Sequence, residues 1–277
     1  MNKFNQFLNK NLPKNSLLYY YLIRLYYSWK PKYIEIDQVL KNFSKSNDKT
    51  FFIQIGSNDG KMQDPIYNYI TSDCWNGILI EPVKYLFEKL KENYKKYENQ
   101  LYFENVAISK EIGTQKFYSL RQTDDPSVPF WAYGLGSFNK DIILKHKMYI
   151  PQIEELIVEE ELPVTTLAEL EKKYNIAGPD VLMIDTEGHD YEILKAYNFD
   201  NYKPLLIIYE HRHLSNREYK ESISYLKNFG YSLFALECDT IGIHESLMQK
   251  HPDLLKDVNY KFPRERVIKM LRFNNSY

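Results

Sequence analysis

FFIQIGSNDGKMQ, residues 51–63, sets the fold class: a mostly apolar run of strand length passes without a break into Gly56, Ser57, Asn58, Asp59 and Gly60. An apolar run that does not alternate belongs to a strand covered on both faces. A glycine directly after it lets the chain turn tightly and leaves room for a ligand at the strand end. The same grammar returns downstream as GILIE at 77–81, LYFENVA at 101–107, VLMID at 181–185, LLIIYE at 205–210 and YSLFAL at 231–236. Amphipathic stretches, KYLFEKLKENYKKY, VTTLAELEKKYNI and REYKESISYLKNFG, lie between these runs. Thr165 or Thr166 caps the second of these helices together with Glu169, and Gly230 ends the third. Buried strands alternating with helices predict an α/β fold with a doubly wound, mostly parallel sheet.

Two stretches stand outside that pattern. Residues 1–48 read as an aromatic-rich N-terminal helical extension ending in the polar SKSNDK, which places the main domain at 49–277. Between about 119 and 163 an irregular insertion carries Pro126, Pro129, Trp131, Gly134 and Gly136, followed by the acidic EELIVEEEL. A segment of this kind over the strand ends serves either as a lid or substrate wall, where aromatic side chains suit stacking on a sugar, or as a flap with a structural role alone. The apolar run Leu17–Tyr27 is too short to span a bilayer and is interrupted by Arg24. Residues 17–33 fit a basic, aromatic helix lying on a membrane surface, on a second copy of the chain in a homodimer, or on the protein's own core.

With 36 Lys and Arg against 37 Asp and Glu, the chain has no cationic excess with which to track a nucleic acid, so a small-molecule or glycan substrate is expected. Cys74 and Cys238 are the only cysteines and form no CxxC pair, and Met1–Pro13 is polar rather than leader-like. Both features point to a cytoplasmic, reducing compartment.

The chemistry begins in the first loop. A dinucleotide pyrophosphate is normally cradled by GxGxxG, whereas Gly56 and Gly60 give GxxxG with Asp59 inside it. Asp59 repels phosphate and can pair with an ammonium. Glu81 ends the next strand, followed by Pro82, at a spacing from Gly56 that lets its carboxylate accept from both ribose hydroxyls of an adenosine. Asn105 and Ala107 end the third strand, where the adenine ring is expected to lie.

Taken together, IQIGSNDG, LIEPVKYLFEKL, ENVAIS, VTTLAEL, VLMIDTEGHDYEILKA and LLIIYE, in this order over residues 51–236, resemble the FkbM family of S-adenosylmethionine-dependent methyltransferases. The resemblance implies a Rossmann-like class I methyltransferase fold with S-adenosylmethionine as methyl donor. It assigns donor binding to Gly56, Ser57, Asn58, Asp59, Gly60, Glu81, Pro82, Asn105, Ala107 and Asp185. It also implies O-methylation of a sugar, a nucleotide-linked sugar or another small hydroxylated metabolite, as in surface-polysaccharide (capsule) synthesis. The chain departs from the family pattern at Gln54, where an Asp is commoner, and at Asp190, where the family has a glutamate.

The strand ends VLMIDTEGHD and LLIIYEHRH bring Asp185, Glu187 and His189 beside Glu210, His211 and His213. Methyl transfer to a hydroxyl requires an acceptor held in line and relieved of its proton. Either His189, His211 or His213 takes that proton, or Asp185, Glu210 and His211 ligate Mg²⁺ or Mn²⁺, which binds the acceptor oxygens and lowers their pKa. Lys61 and Arg121 are candidates for contacting an anionic substrate group. Competing expectations are N-methylation, a lipid- or peptide-linked acceptor, a nicotinamide-dependent sugar dehydrogenase, and a catalytically idle adaptor that docks through its N-terminal helix.

Overall fold

The computed structural model describes residues 10–12, 18, 22, 31–47, 49–258 and 260–261. Its strands are β1 (Lys32–Ile34), β2 (Phe51–Ile55), β3 (Asn76–Ile80), β4 (Leu101–Glu104), β5 (Ala107–Ile108), β6 (Gly113–Leu120), β7 (Gly136–Ser137), β8 (Ile157–Thr165), β9 (Val181–Ile184), β10 (Leu206–Glu210), β11 (Tyr231–Ala235), β12 (Asp239–His244) and β13 (Tyr260–Lys261). Nine of them form one sheet in the order β13-β1-β11-β12-β10-β9-β2-β3-β4. The pairs β4–β3, β3–β2, β2–β9, β9–β10 and β1–β11 are parallel, while β12 runs antiparallel between β10 and β11.

The sheet is wound on both sides because its strands send alternate apolar residues to opposite faces. Phe52, Leu79, Leu206 and Ile208 pack on one face with Val39, Leu40 and Phe43 of the helix Ile36–Ser46 and with Leu90 of the helix Lys84–Asn93. Ile53, Ile55, Ile78, Ile80, Leu182, Ile184 and Ile207 pack on the other, against the helices Leu167–Tyr174, Asp190–Ala196 and Asn216–Asn228. Each large apolar side chain so buried stabilises the fold by about 1.5–3 kcal/mol. Thr166 caps its helix by accepting from the Glu169 amide, and Ser215 with Glu218 builds a full capping box on the helix that follows β10. Chain order runs outward from β2 through β3 to β4, then resumes at β9 and runs out to β10, so the topological switch lies between β2 and β9. Ligands of open α/β sheets bind beyond the strand ends at such a switch.

The insertion is carried on a second, four-stranded sheet ordered β5-β8-β6-β7. β6 and β8 pair antiparallel from Gly113↔Val164 to Leu120↔Ile157, and the chain between them closes over a small core that includes Leu120, Ala132, Ile143 and Ile150. The run LYFENVA divides between the two sheets, with β4 in the main sheet and β5 in the second. On the N-terminal side, β1 lies in the main sheet beside β11 and the helix Ile36–Ser46 is part of its core. Most of the run 17–33, expected on a membrane surface, on a second copy or on the protein's own core, falls outside the described residues. Among the described residues no helix is long and apolar enough to cross a membrane.

Candidate active site

Beyond the ends of β2, β3, β9 and β10 lies a cavity of about 660 Å³, walled on its outer side by Trp131, Phe138, His146 and Tyr149 of the insertion. At its floor the β2 and β9 ends touch: the Asp185 amide donates to Ile55 O at 2.9 Å, and a Cβ on Gly56 would overlap the Asp185 carbonyl oxygen. With φ at +77° as well, Gly56 has no substitute. Asn58 and Glu187 also hold left-handed backbone, φ +50°, an unfavourable state for these residues that clusters at functional sites.

Glu81 joins the first loop to β3. One of its carboxylate oxygens accepts from the Asn58 amide at 2.9 Å and the other from the Val83 amide at 2.8 Å, which leaves a lone pair on each. Burial pushes its pKa up to about 7, opposed by those two amide bonds. Gly56, Ser57, Asn58, Glu81, Pro82, Ala107 and Asp185 all face the cavity. Asp59, Gly60 and Asn105 stand behind the wall. Asp59 caps the turn by accepting from the Lys61 and Met62 amides, and the Gly60 carbonyl accepts from the Tyr94 hydroxyl at 2.6 Å. Asn105 donates to the carbonyls of Glu81 and Pro82, fixing the end of β3. Two wall residues were not singled out in the sequence as binders. Asp64 and Gln54 both line the cavity, the Asp64 carboxyl within hydrogen-bonding reach of the Gln54 side-chain amide, and burial pushes that carboxyl up to about 6.

The opposite end of the cavity is acidic. Asp185, Glu187 and Glu210 each offer one carboxylate oxygen within 4.8 Å of the others. Asp185 is open to the cavity yet ringed by protein, and burial followed by the charge of Glu187 holds its pKa well above the ordinary carboxylate value. Glu210 is raised strongly too, by burial and then by Asp185 and Glu187, and its Oε2 has no partner. Asp190, wholly buried, fixes the geometry: one oxygen accepts from the Glu210 amide at 3.1 Å, the other from Thr186 Oγ1 at 3.0 Å and the Gly188 amide at 3.3 Å. Ser137 of the insertion donates to the Glu187 carbonyl at 2.7 Å.

The three expected histidines separate. His213 Nε2 lies in the cavity wall 2.8 Å from Glu187 Oε2 and 3.6 Å from Glu210 Oε1. His189 begins the helix Asp190–Ala196 outside the wall, its ring edge-on to Phe138, and burial lowers its pKa. His211 is not brought to Asp185 and Glu210. Its ring stacks on Tyr219 at 4.3 Å and its Nδ1 sits 3.0 Å from Thr240 Oγ1. The third member of that group is Glu187, giving an all-oxygen set that fits a hard cation such as Mg²⁺ or Mn²⁺. Lys61 and Arg121 are both absent from the wall, where Asp64, Glu81, Asp185, Glu187, Glu210, Glu237 and Asp239 face a single described Lys or Arg, Arg212. The wall is therefore rich in carboxyl groups and poor in cationic side chains.

A model of the methyltransferase FkbM domain matches residues 54–233. No curated protein is similar enough to match. Among solved structures, an FkbM methyltransferase from Methylobacillus flagellatus KT is 12% identical with a TM-score of 0.45, the match covering 71% of this chain and 44% of that one. This chain therefore spans less than half the length of that relative. Precorrin-6y C5,15-methyltransferase from Geobacter metallireducens is 10% identical with a TM-score of 0.37, covering 74% of this chain and 85% of that one. An RNA methyltransferase from Salinibacter ruber, in complex with S-adenosyl-L-homocysteine, is 13% identical with a TM-score of 0.33, covering 76% of this chain and 90% of that one.

Proposed function

The chain belongs to the FkbM family of S-adenosylmethionine-dependent methyltransferases, and we propose on that premise that it methylates a hydroxyl of a neutral, sugar-like acceptor of the kind used in surface-polysaccharide synthesis. The observation that carries this reading is the division of one cavity into a nucleoside end, built on Gly56 and Glu81, and a carboxylate end, built on Asp185, Glu187 and Glu210. S-adenosylmethionine supplies a methyl group on a sulfonium and departs as the thioether.

The residues fit that group. Glu81 has a free lone pair on each oxygen for ribose hydroxyls, and the Asp64 carboxylate in the wall can accept from an ammonium. Trp131, 38% exposed, and Tyr149, 56% exposed, stand at the outer wall, where a pyranose ring can stack. At the carboxylate end Glu210 takes the proton of the acceptor hydroxyl. Burial makes its carboxylate a stronger base than an exposed one, and a cationic donor in the cavity favours the ionised form needed to act. Asp185, Glu187 and Glu210 are also the residues that would hold a hard divalent cation, which would polarise the acceptor oxygen. A diphosphate on the acceptor would find a single described Lys or Arg, Arg212, in the wall to pair with, which favours an uncharged saccharide over a nucleotide-linked one.

Isothermal titration with S-adenosylhomocysteine, followed by methyl transfer to a panel of neutral and nucleotide-linked sugars, tests the proposal. Nucleoside binding that weakens by about 1–3 kcal/mol in Glu81→Ala, with transfer to a neutral sugar, supports it. Affinity indifferent to Glu81, or transfer confined to amine acceptors, would overturn it.

A further inference from the structure

We infer that His146, Glu187 and His213 form a binding site for a divalent transition ion, which fastens the insertion to the end of β9 and the segment after β10. Each of the three offers one ligand atom within 4.8 Å of the others: two imidazole nitrogens and a carboxylate oxygen. His213 Nε2 and Glu187 Oε2 are 2.8 Å apart, and the His146 and His213 rings are 5.7 Å apart between centroids. A tetrahedral zinc with ligands at 2.0–2.1 Å keeps neighbouring ligand atoms about 3.3 Å apart, so small side-chain rotations close the site.

A second observation points to a ligand. His146 is 7% exposed, faces the cavity, and its Nε2 has no hydrogen-bond partner. An imidazole nitrogen buried without a partner costs free energy unless something binds it. Glu210, also 7% exposed, leaves Oε2 unpartnered nearby, with its other oxygen 3.6 Å from His213 Nε2. Two histidines and a carboxylate are the donor set of catalytic zinc sites, which keep a fourth position open, here toward the cavity. Nitrogen donors distinguish this set from the all-carboxylate group of Asp185, Glu187 and Glu210, with which it shares Glu187. They favour Co²⁺, Ni²⁺ or Zn²⁺ over Mg²⁺, which prefers oxygen. The three ligands come from separate places in the chain: His146 from the short 3₁₀ helix Lys145–Met148, Glu187 from the loop after β9, and His213 from the segment after β10. Metal binding would therefore clamp the insertion over the cavity.

The test is a Co²⁺ and Zn²⁺ titration of EDTA-treated full-length protein, followed by the visible d–d absorption of Co²⁺ and by calorimetry. The expected result is one ion per chain, with affinity falling at least about tenfold in His146→Ala and in His213→Ala. Metal-free melting temperatures identify any variant that fails to fold, and His146→Asn, which keeps a polar side chain of smaller reach, then takes the place of the alanine variant. Failure of the wild type to bind Co²⁺ or Zn²⁺ would sink the inference. So would binding unchanged by loss of His146, the result expected of an ion held by Asp185, Glu187 and Glu210 alone. Because binding is read without turnover, failure of the methylation proposal would leave this result intact.

Discussion

Glu210 shows how much one side chain owes to its neighbours. It ends β10, its amide is held by the buried Asp190, and its carboxylate faces Asp185 and Glu187 across the cavity floor. Replacing it with glutamine keeps the shape and removes the base. Glu210→Gln is expected to lower kcat by about 10²–10⁴-fold while changing S-adenosylhomocysteine affinity less than about threefold, as read by initial rates and calorimetry. A kcat within a few-fold of wild type would move proton acceptance to another residue, His213 first. Much of this site was legible in the sequence because acids at the ends of buried strands have one place to point. Glu81, Asp185 and Glu210 could be read from that rule alone. Asp64 and His146 could not. Asp64 follows a glycine turn with no strand to locate it, and His146 lies in a segment without periodicity that only the fold brings to His213. His211 misled in the opposite way. Its neighbours in sequence face the cavity, but its ring is taken up by Tyr219 and Thr240.

Among the elements, the six apolar runs all became strands, because a strand buried on both faces must be apolar throughout and so announces itself. Six strands, β1, β6, β7, β8, β12 and β13, were silent, and two of them show why. β12 contains Gly242 and enters antiparallel, with no helix before it to mark a βα unit. β8 carries Glu159, Glu160 and Glu161 in succession, all exposed, and is held by main-chain bonds to β6 rather than by a buried face, so it reads as an acidic loop. That strand pair lifts the insertion over the cavity and delivers its aromatic residues to the mouth. Trp131, with ring centroids 5.5 Å from His146 and 6.3 Å from Tyr149, stands on the side of the cavity proposed above for the acceptor. Trp131→Ala should raise the acceptor KM by about tenfold, the loss of about 1.4 kcal/mol of stacking, without altering the KM for the methyl donor. Equal rises in both constants would show instead that the insertion has collapsed onto the donor end.

For the whole molecule, the concentration of buried acids makes stability depend on pH in an unusual direction. Burial pushes Glu81 and Asp190 up to about 7, Asp64 and Asp239 up to about 6, and raises Asp185 and Glu210 further. In the folded chain these groups keep protons that the unfolded chain, with ordinary carboxylates, has already released. The stability they contribute is fully present below about pH 4 and is lost as the pH climbs through 6 and 7. His146, His189 and His244 work the other way. Burial lowers their pKa, so their contribution is present above the ordinary histidine value and is lost on acidification. Between pH 6 and 8 the carboxylates dominate, since they are more numerous and several titrate inside that window. The metal-free protein should therefore be less stable at pH 8 than at pH 6 by at least about 2 kcal/mol, measured by urea unfolding at matched ionic strength. A bound cation, whether the methyl donor or a divalent ion, favours the charged carboxylates and should narrow the gap in the same experiment. Stability that rises steadily from pH 6 to 8 would mean that the acids are ionised in the folded chain, and with that the account of Glu210 as a base strengthened by burial would fall.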